Sequence, residues 1–289
     1  MTDLKLSLEF FPPKSETGDQ NFWKTLDRMT ALDPAFVSVT YGAGGTTQER
    51  SDRIVRRISE EASLDAAAHL TCVGTSRANV DALAKSWYEA GIKRIVALRG
   101  DAPDADGVYR PHKEGYVNAI DLVGGLKRVA PFDISVAAYP EKHPQSPSVA
   151  VDLDNLWRKF NAGADRAITQ FFFEAETFLR FRDRAARAGI FKPIVPGILP
   201  IANFAKTVMI AKQCETAVPQ WLAETFEGLD EDPETRALVS ASVTADLCER
   251  LRSEGVDHFH FYTLNQAPLT MAVWRRLTNL PEQSFSNAA

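Results

Sequence analysis

The sequence is poor in cysteine and has no long apolar run, and these two absences limit what the protein can be. Its three cysteines, Cys72, Cys214 and Cys248, lie far apart and show no metal-ligand spacing. So few cysteines, in an odd number, indicate a reducing compartment and not a disulfide scaffold. No hydrophobic stretch reaches the ~20 residues that cross a bilayer. A strand pattern begins by about Leu6, so we expect no signal or transit peptide and a cytoplasmic protein without membrane contact.

The chain also lacks an excess of positive charge. Its 33 Lys and Arg residues are outnumbered by 38 Asp and Glu residues, which gives a net charge of -5, whereas a nucleic-acid-binding surface needs basic side chains to neutralise phosphates. We therefore expect no nucleic-acid partner. The sequence shows no zinc-type His/Cys cluster, no Cys–His catalytic signature and no nucleophile elbow, so we also predict no metal site.

What the chain does contain is a regular alternation of β-rich runs and amphipathic helical patterns. The first seven strand starts lie about 28 to 40 residues apart, which is the size of one βαβ unit. The last interval is longer and contains Pro219 and the acidic stretch Asp230–Glu234, so we expect extra helices there. The eight runs are Leu6–Phe11, Phe36–Tyr41, Ala66–Cys72, Arg94–Leu98, Ile134–Tyr139, Ala167–Phe172, Ile194–Leu199 and His258–Thr263.

Eight strands with intervening helices predict an α/β protein, a single-domain (βα)8 TIM barrel over residues 1–289. A doubly wound open sheet is the alternative, but no G-x-G-x-x-G follows the first strand, which favours the closed barrel. In such barrels the active site lies at the C-terminal ends of the strands and in the loops that follow them. Polar residues at those positions are therefore the candidate functional residues.

Glu9 lies inside the first strand, between Leu8 and Phe10. Burial of an ionised carboxylate among apolar residues is costly unless the charge is paired, so the pKa of such a group tends to rise. A raised pKa keeps a general acid protonated near neutral pH. An outward-facing glutamate paired with a basic neighbour explains the pattern equally well, and the strand alone leaves both interpretations open.

Other strand ends also carry polar or glycine-rich segments. The second leads into Thr40–Thr47, whose glycines would let a ligand approach the backbone, although a plain flexible loop fits the same pattern. His69 closes the third strand, where a lone histidine is more often structural than a ligand. Arg99 and Asp101 flank a glycine after the fourth strand, so both charges would meet a pocket at the barrel mouth.

The fifth and sixth strands lead to groups suited to a planar, charged ligand. Tyr139 can stack on a ring, and His143 can meet a phosphate or a ribose. A polar helical face after the fifth strand could hold a pyrophosphate by charge-assisted hydrogen bonds, although such faces are usually only solvated. Gln170 precedes three phenylalanines, where a buried amide needs a partner such as a heterocycle. The helical face consists of Asp152, Asn155, Arg158 and Lys159.

Short segments at these strand ends strongly resemble the methylenetetrahydrofolate reductase family. They occur in family order over nearly the whole chain, and so many matches are not expected by chance. The resemblance implies a (βα)8 barrel with FAD bound at its mouth. The matching segments are Leu8–Pro13 (LEFFPP), Val37–Ala43 (VSVTYGA), His69–Cys72 (HLTC), Val96–Asp101 (VALRGD), Asp133–Pro140 (DISVAAYP), Ala167–Phe173 (AITQFFF), Pro196–Pro200 (PGILP) and Phe259–Asn265 (FHFYTLN).

The resemblance also implies functions for individual residues. Glu9 matches the general acid of the family, Asp101 a residue near the flavin and pterin rings, and Gln170 the amide that binds folate. The implied FAD contacts are Thr40, His69, Leu98, Arg99, Gly100, Asp101, Tyr116, Ala137, Tyr139, His143, Asp152, Asn155, Arg158 and Lys159.

The implied reaction interconverts 5,10-methylenetetrahydrofolate and 5-methyltetrahydrofolate by ping-pong hydride transfer through flavin N5. NADH or NADPH reduces the flavin and leaves, and the folate then stacks in the same place. Glu9 assists the protonation that opens the one-carbon bridge, and Asp101, if ionised, favours the resulting cation. The resemblance also leads us to expect a homo-oligomer and, for this short form, no C-terminal regulatory domain.

Three positions depart from the family pattern. Gln266 stands where the family commonly has an arginine suited to the folate glutamate tail, and an amide cannot replace that charge. Lys206 and Ile210 stand where relatives carry a glutamine and an aromatic residue that stacks on substrate. These substrate-site positions leave open the redox partner and the direction, since a 5-methyltetrahydrofolate oxidase would look similar.

Two further functions are alternatives to the reductase. The first is a pterin-binding barrel methyltransferase that uses folate without flavin, and the second is a non-catalytic flavin-binding subunit. The presence of Glu9, Asp101 and Gln170 argues against the second alternative, because a pure binding module has no need of a buried acid.

Overall fold

The structure, a computed structural model, describes residues 4–41, 48–62, 64–102 and 108–278. The predicted glycine-rich loop lies outside the described residues from position 42 onward. The strands are β1 (Lys5–Phe10), β2 (Phe36–Val39), β3 (Ala66–Thr71), β4 (Arg94–Leu98), β5 (Asp133–Ala138), β6 (Arg166–Thr169), β7 (Ile194–Val195), β8 (Gly197–Ile198) and β9 (His258–Tyr262). The helices are α1 (Glu16–Thr30), α2 (Gln48–Glu61), α3 (Arg77–Glu89), α4 (Ala119–Val129), α5 (Val149–Asn161), α6 (Ala175–Arg187), α7 (Phe204–Gln213), α8 (Gln220–Phe226), α9 (Pro233–Ser253) and α10 (Ala267–Thr278).

The order of the strands shows how the sheet closes. Neighbours follow β7–β6–β5–β4–β3–β2–β1–β9–β8, and the pairs are parallel. β7 and β8 are halves of the predicted run Ile194–Leu199, separated by Pro196, which has no N–H to donate to a ladder. Since β7 pairs with β6 and β8 pairs with β9, the two edges of the sheet meet at this proline. The nearly closed barrel confirms the predicted TIM-type fold, and the open doubly wound alternative is wrong.

Helices α7, α8 and α9 occupy the long interval before the last strand, where the sequence predicts extra helices. α9 begins at Pro233, because the fixed φ of proline suits the first helical turn. Asp232 caps this helix, and its carboxylate accepts a hydrogen bond from the backbone N–H of Thr235 at 3.0 Å, which satisfies a donor that the helix cannot pair itself.

Strands β1 and β9 separate apolar from polar residues by simple alternation. Leu6 and Leu8 of β1, like Phe259 and Phe261 of β9, belong to the large apolar core between strands and helices. The intervening residues therefore face the inside of the barrel, since successive side chains of a strand point to opposite sides. The strand register places inward residues side by side, with Lys5 beside His258, Ser7 beside His260 and Glu9 beside Tyr262.

The inside of the barrel is part apolar and part polar. Phe36, Ala67, Val96, Ile168 and Val195 form a small buried cluster there. Beside it, two further inward residues, Ser7 and His260, are fully buried and hydrogen-bonded to each other. Branched apolar side chains usually fill the inside of such barrels, so a buried hydroxyl and imidazole at this depth need a specific reason.

Gly197 permits the close packing at the seam where the barrel closes. The hydroxyl of Tyr262 donates a hydrogen bond to the carbonyl oxygen of Thr169 at 2.7 Å, and Gly197 N–H donates to Thr169 Oγ1 at 2.9 Å. A Cβ atom on Gly197 would lie 2.1 Å from the Thr169 carbonyl oxygen and 2.6 Å from the Tyr262 ring. Both distances are too short for any side chain.

We expect Gly197→Ala to destabilise the protein by about 1–3 kcal/mol or more, the usual range for overpacking. The matched control is Gly124→Ala in α4, where the new methyl group meets only the Arg128 guanidinium at 3.6 Å and alanine favours the helix by about 0.5–1 kcal/mol. Urea unfolding of both variants measures this. Equal unfolding midpoints for Gly197→Ala and wild type would show that the seam relaxes freely.

Candidate active site

Two adjoining cavities open at the C-terminal ends of the strands. The first, here called the cleft, measures about 390 Å³ and lies among the ends of β4 and β5 and the beginnings of α4 and α5. The second, here called the mouth cavity, measures about 360 Å³ and lies over β1, β3, β6 and β9, against α7. Tyr41, Leu98 and Ala137 line both, so one ligand can reach from one cavity into the other.

The cleft brings together most of the predicted cofactor contacts. Its wall is apolar near the strands and polar toward α5, which suits a ligand with a flat ring at one end and charge at the other. The predicted contacts that line it are Leu98, Arg99, Gly100, Asp101, Ala137, Tyr139, His143, Asp152, Asn155 and Lys159.

Lys159 is a partly buried cation of the cleft. Its Nζ donates a hydrogen bond to the carbonyl oxygen of Ala137 at 2.9 Å. Burial lowers the pKa of Lys159 to about 8, with the nearby Arg99 acting in the same direction and Asp152 opposing it. A partly buried ammonium that receives only partial compensation favours an anionic ligand, because the ligand would supply the missing negative charge.

Two more positive groups face the same space. The Arg99 guanidinium is held by Gln145 Oε1 at 2.6 Å and lies 4.6 Å from the centre of the Tyr109 ring. The first residues of α4, next to its Asn118 cap, also line the cleft. Because the N-terminus of a helix carries a partial positive charge, cation and helix together form a wall suited to phosphate oxygens.

His143 and Tyr139 form a neutral ring pair at the other side of the cleft. Their rings meet edge to face with centroids 4.5 Å apart, and Asp152 accepts a hydrogen bond from the backbone N–H of His143 at 2.9 Å. Burial lowers the pKa of His143 and raises the pKa of Tyr139 to about 12. Both side chains therefore offer hydrogen bonds and ring contact without adding charge.

The mouth cavity contains the predicted acid and the predicted folate amide. Glu9 lies at its floor, with Thr40 and His69 beside it, and Ile210 of α7 reaches it from above the strands. The Gln170 Oε1 atom accepts a hydrogen bond from the backbone N–H of Phe171 at 3.0 Å. Its NH2 group is thereby left to donate to a ligand.

Of the two interpretations of Glu9 that the sequence leaves open, the one with a raised pKa is wrong in this structure. Burial does raise the pKa, but His69 and His260 oppose burial by charge and hydrogen bonding and lower the net value to about 2. Their Nε2 atoms lie 3.3 Å and 3.5 Å from the same Glu9 oxygen. The carboxylate is therefore ionised, and the partners that reverse the shift come from β3 and β9, far from Glu9 in sequence.

The backbone around Glu9 is fixed by the loop that follows β9. Thr263 donates two hydrogen bonds to the Glu9 carbonyl oxygen, from its N–H at 3.1 Å and from its hydroxyl at 2.7 Å. The Asn265 side chain then pairs with the backbone of Phe11, accepting from its N–H at 2.8 Å and donating to its carbonyl at 2.9 Å. These bonds hold the end of β1, and with it the acid, in one position.

Four of the predicted site residues line neither cavity. The Tyr116 ring is buried, its hydroxyl donates to Asp81 at 2.6 Å and the Arg77 guanidinium lies over its face. Arg158 is exposed and pairs with Asp154 at 2.9 Å. Lys206 and Gln266 are exposed, so they can meet only the parts of a ligand that extend out of the mouth. The four are Tyr116, Arg158, Lys206 and Gln266.

The structure also adds residues that the sequence analysis missed. Asn118 and the two residues after it form the start of α4, and an asparagine before an apolar helical run is a recognisable capping signal. Tyr262 and Cys214 line the mouth cavity, but no local pattern marks either one. Among the described residues no group of three His, Cys, Asp or Glu could hold a metal ion, and no helix there is long and apolar enough to cross a membrane.

The chain is similar to proteins of one family over nearly its whole length. The family model described as methylenetetrahydrofolate reductase matches residues 2–278. The 5,10-methylenetetrahydrofolate reductase of Pectobacterium carotovorum subsp. carotovorum is 48% identical over 279 residues, which is 96% of this chain and 92% of that protein. The enzyme of the same name from Escherichia coli (strain K12) is 47% identical over 274 residues, 95% and 90% of the two chains.

Comparison of structures supports the fold. An uncharacterized protein from Clostridium thermocellum, described as binding two copies of 5-methyl-5,6,7,8-tetrahydrofolic acid, has a TM-score of 0.63 at 14% identity, with 96% of each chain covered. An oxaloacetate acetylhydrolase has a TM-score of 0.53 at 11% identity, with 96% of this chain and 82% of that chain covered. At such identities the likeness shows the barrel and nothing about the chemistry.

The ionisation of Glu9 can be measured by NMR of protein labelled with 13Cδ-glutamate, in which Glu9→Gln identifies the resonance. We expect Glu9 to titrate below its ordinary value of 4.5. His69→Gln should move the titration upward, because one of the two opposing imidazoles is lost. The control is His112→Gln, which removes an exposed histidine and should leave the curve unchanged. A wild-type titration above 4.5 would contradict the pairing.

Proposed function

Because the chain belongs to the methylenetetrahydrofolate reductase family, we propose that it holds FAD and interconverts 5,10-methylenetetrahydrofolate and 5-methyltetrahydrofolate with NADH or NADPH as the reductant. The observation that carries this proposal is the pair of adjoining cavities, one with a cationic wall and the other with an acid and an amide on its floor. The family supports the reaction, and the cavities support the assignment of residues to cofactor and substrate.

FAD fits the cleft by shape and by charge. Lys159, Arg99 and the start of α4 would hold the pyrophosphate, and Tyr139 and His143 would contact the ribose or the ring system. Leu98 and Ala137, which line both cavities, would place the isoalloxazine edge at the boundary with the mouth cavity. When bound, the flavin supplies hydride transfer between the nicotinamide and the folate one-carbon unit.

The folate pterin would bind over the floor of the mouth cavity. The free NH2 group of Gln170 would donate to the ring, and Glu9 would face the nitrogen that takes up a proton when the one-carbon bridge opens. Asp101, at the edge of the cleft, would stabilise the cation formed on the folate. Since nicotinamide and pterin would stack in one place, the two substrates must bind in turn, which predicts ping-pong kinetics.

The paired state of Glu9 changes how its acid function works. A carboxylate with a low pKa donates a proton only when a neighbour supplies one. The imidazoles of His69 and His260 contact it, so they are the neighbours that would pass a proton to Glu9. Binding of the pterin displaces water from the carboxylate and raises its proton affinity, which would move the proton onto Glu9 at the time it is needed.

Lys159 makes the binding of FAD sensitive to pH. Without FAD its pKa lies near 8, and a bound pyrophosphate favours the protonated form. FAD binding above pH 8 must therefore take up a proton, and we expect the affinity to fall by up to about tenfold per pH unit. Fluorescence titration of the deflavinated protein measures this.

Lys159→Met should bind FAD more weakly, with a flat pH dependence between 7 and 9. The control is Lys85→Met, on the exposed surface of α3 beside Glu89, which should keep the wild-type curve. If Lys159→Met retained the wild-type loss of affinity above pH 8, another group would be responsible for it.

Glu9→Gln should separate the two half-reactions. Stopped-flow absorbance of the flavin should show normal reduction by NADH or NADPH, whereas the folate half-reaction should slow by about 10²–10⁴-fold, the usual contribution of general acid catalysis. Folate turnover near the wild-type rate would show that Glu9 is not the acid. The same mixing with 5-methyltetrahydrofolate reports the direction in which the protein works.

Asp101→Asn should slow the folate half-reaction more than flavin reduction. The carboxylate stabilises positive charge that appears only on the folate, and the amide keeps its size but not its charge. The same stopped-flow measurement gives both rates on one sample. An equal loss in both half-reactions would indicate that Asp101 only shapes the cleft.

A further inference from the structure

Phe11 is the exposed side chain of the mouth cavity. Among the described residues that line this cavity it alone is exposed, with 44% of its surface accessible to solvent. Two other aromatic rings there have protein partners, since Phe171 packs against Phe173 with centroids 5.6 Å apart and the Tyr262 hydroxyl bonds the Thr169 carbonyl. Single exposed apolar side chains are common on protein surfaces, but a ring at the opening of a largely apolar cavity is placed to meet what enters it.

The alternation of β1 places Phe11 above Glu9. The two residues are two positions apart, so their side chains point to the same side of the strand, and both line the mouth cavity. Two residues of a strand advance by about 6–7 Å along it. Phe11 therefore lies nearer the opening than the acid, and a ligand that covers Glu9 must pass beside the Phe11 ring on its way out of the mouth.

The backbone of Phe11 is held on both sides. Its N–H and carbonyl pair with the Asn265 side chain at 2.8 Å and 2.9 Å, and Pro12 restricts the preceding residue to an extended conformation. The loop that supplies Asn265 is strained, because Leu264 and Asn265 both have positive φ, 49° and 57°, a region that leucine rarely adopts. Strain that is kept in order to hold an exposed ring indicates that the position of the ring has a function.

The shape of a folate suits this arrangement. With the pterin over Glu9 and Gln170, the next part of the molecule is the p-aminobenzoyl ring, which is joined to the pterin by a short link and so lies nearer the opening. An aromatic ring is bound best by another ring, offset or edge to face. Ile210, which α7 contributes to the cavity, is aliphatic and offers no such face. Phe11 does, at the height that the second ring would reach.

We propose that Phe11 binds the p-aminobenzoyl ring of the folate and thereby positions the pterin over Glu9. This inference rests on the proposed function and names the substrate class of the site, which is folates that carry the second ring and not free pterins. Because the backbone of Phe11 is fixed before the ligand arrives, the contact costs little conformational entropy. The ring takes no part in proton or hydride transfer, so it contributes to binding and not to the rate of the chemical step.

The test compares two donors that reduce the bound FAD, followed by stopped-flow absorbance. One is 5-methyltetrahydrofolate, and the other is 5,6-dimethyltetrahydropterin, which keeps the pterin and its N5 methyl group but lacks the second ring. Phe11→Ala should raise the half-saturating concentration of the folate about tenfold, the scale of one lost ring contact, with little change in the limiting rate. The same variant should react with the pterin as the wild type does, because the partner of the lost ring is absent.

Two further variants separate ring contact from apolar contact in general. Phe11→Tyr keeps the ring and should bind the folate as the wild type does, whereas Phe11→Leu keeps only apolar surface and should give an intermediate loss. The matched control is Phe191→Ala, which removes an 85% exposed phenylalanine before β7, at the end of the barrel away from the mouth. It should leave the kinetics with both donors unchanged.

The pterin serves as an internal control for the folding of each variant, since both donors are measured on one sample. An equal loss with folate and pterin in Phe11→Ala would show that Phe11 only maintains the shape of the mouth. An unchanged half-saturating concentration of folate would show that the ring does not contact it, and either result would overturn the inference. A wild-type protein whose bound flavin is not reduced by 5-methyltetrahydrofolate would instead refute the proposed function itself.

Discussion

The site depends on one constraint, which is that the Glu9 carboxylate is largely enclosed by protein. A negative charge is stable there only beside groups that pair with it or donate hydrogen bonds to it. His69 and His260 supply them, and both contact a single oxygen of the carboxylate. Burial alone would leave a weak acid that is always protonated, and pairing alone would leave a permanent anion. Together they leave an ionised carboxylate whose proton affinity depends on its two imidazole neighbours and on what covers it. The polar interior of the barrel beneath serves the same need, because the buried Ser7 hydroxyl lies 2.8 Å from His260 Nδ1 and orients that imidazole.

The same strand, β9, closes the barrel and positions Glu9. β9 pairs with both β1 and β8, so the strand that carries His260 connects the first strand to the edge strand that meets β7 at Pro196. The loop after it anchors the Glu9 carbonyl through Thr263, while Tyr262 reaches across to Thr169. A disturbance at this seam therefore moves the acid and its partner together, which links the stability of the fold to the chemistry of the site.

The fold could be predicted from sequence because its signals are local and repeated. Each strand is a short β-rich run, and each predicted run is found with bounds that differ by three residues or fewer. One predicted run, Ile194–Leu199, is not a single strand, because Pro196 divides it into β7 and β8. A proline interrupts a ladder locally, but whether the sheet continues past it depends on β9, which lies over 50 residues later and which no local window includes.

The site was less predictable. It depends on the direction in which each side chain points from its helix and on contacts between residues that are distant in sequence. The polar face of α5 shows the limit. Asp152, Asn155 and Lys159 line the cleft, but Arg158, at roughly 100° per residue, lies about 120° away from Asp152 around the helix and pairs outward with Asp154. Adjacent cations in one motif thus have different surroundings. The lowered pKa of Glu9 could not be predicted for a related reason. His69 and His260 come to lie beside Glu9 only when β3 and β9 take their places in the barrel.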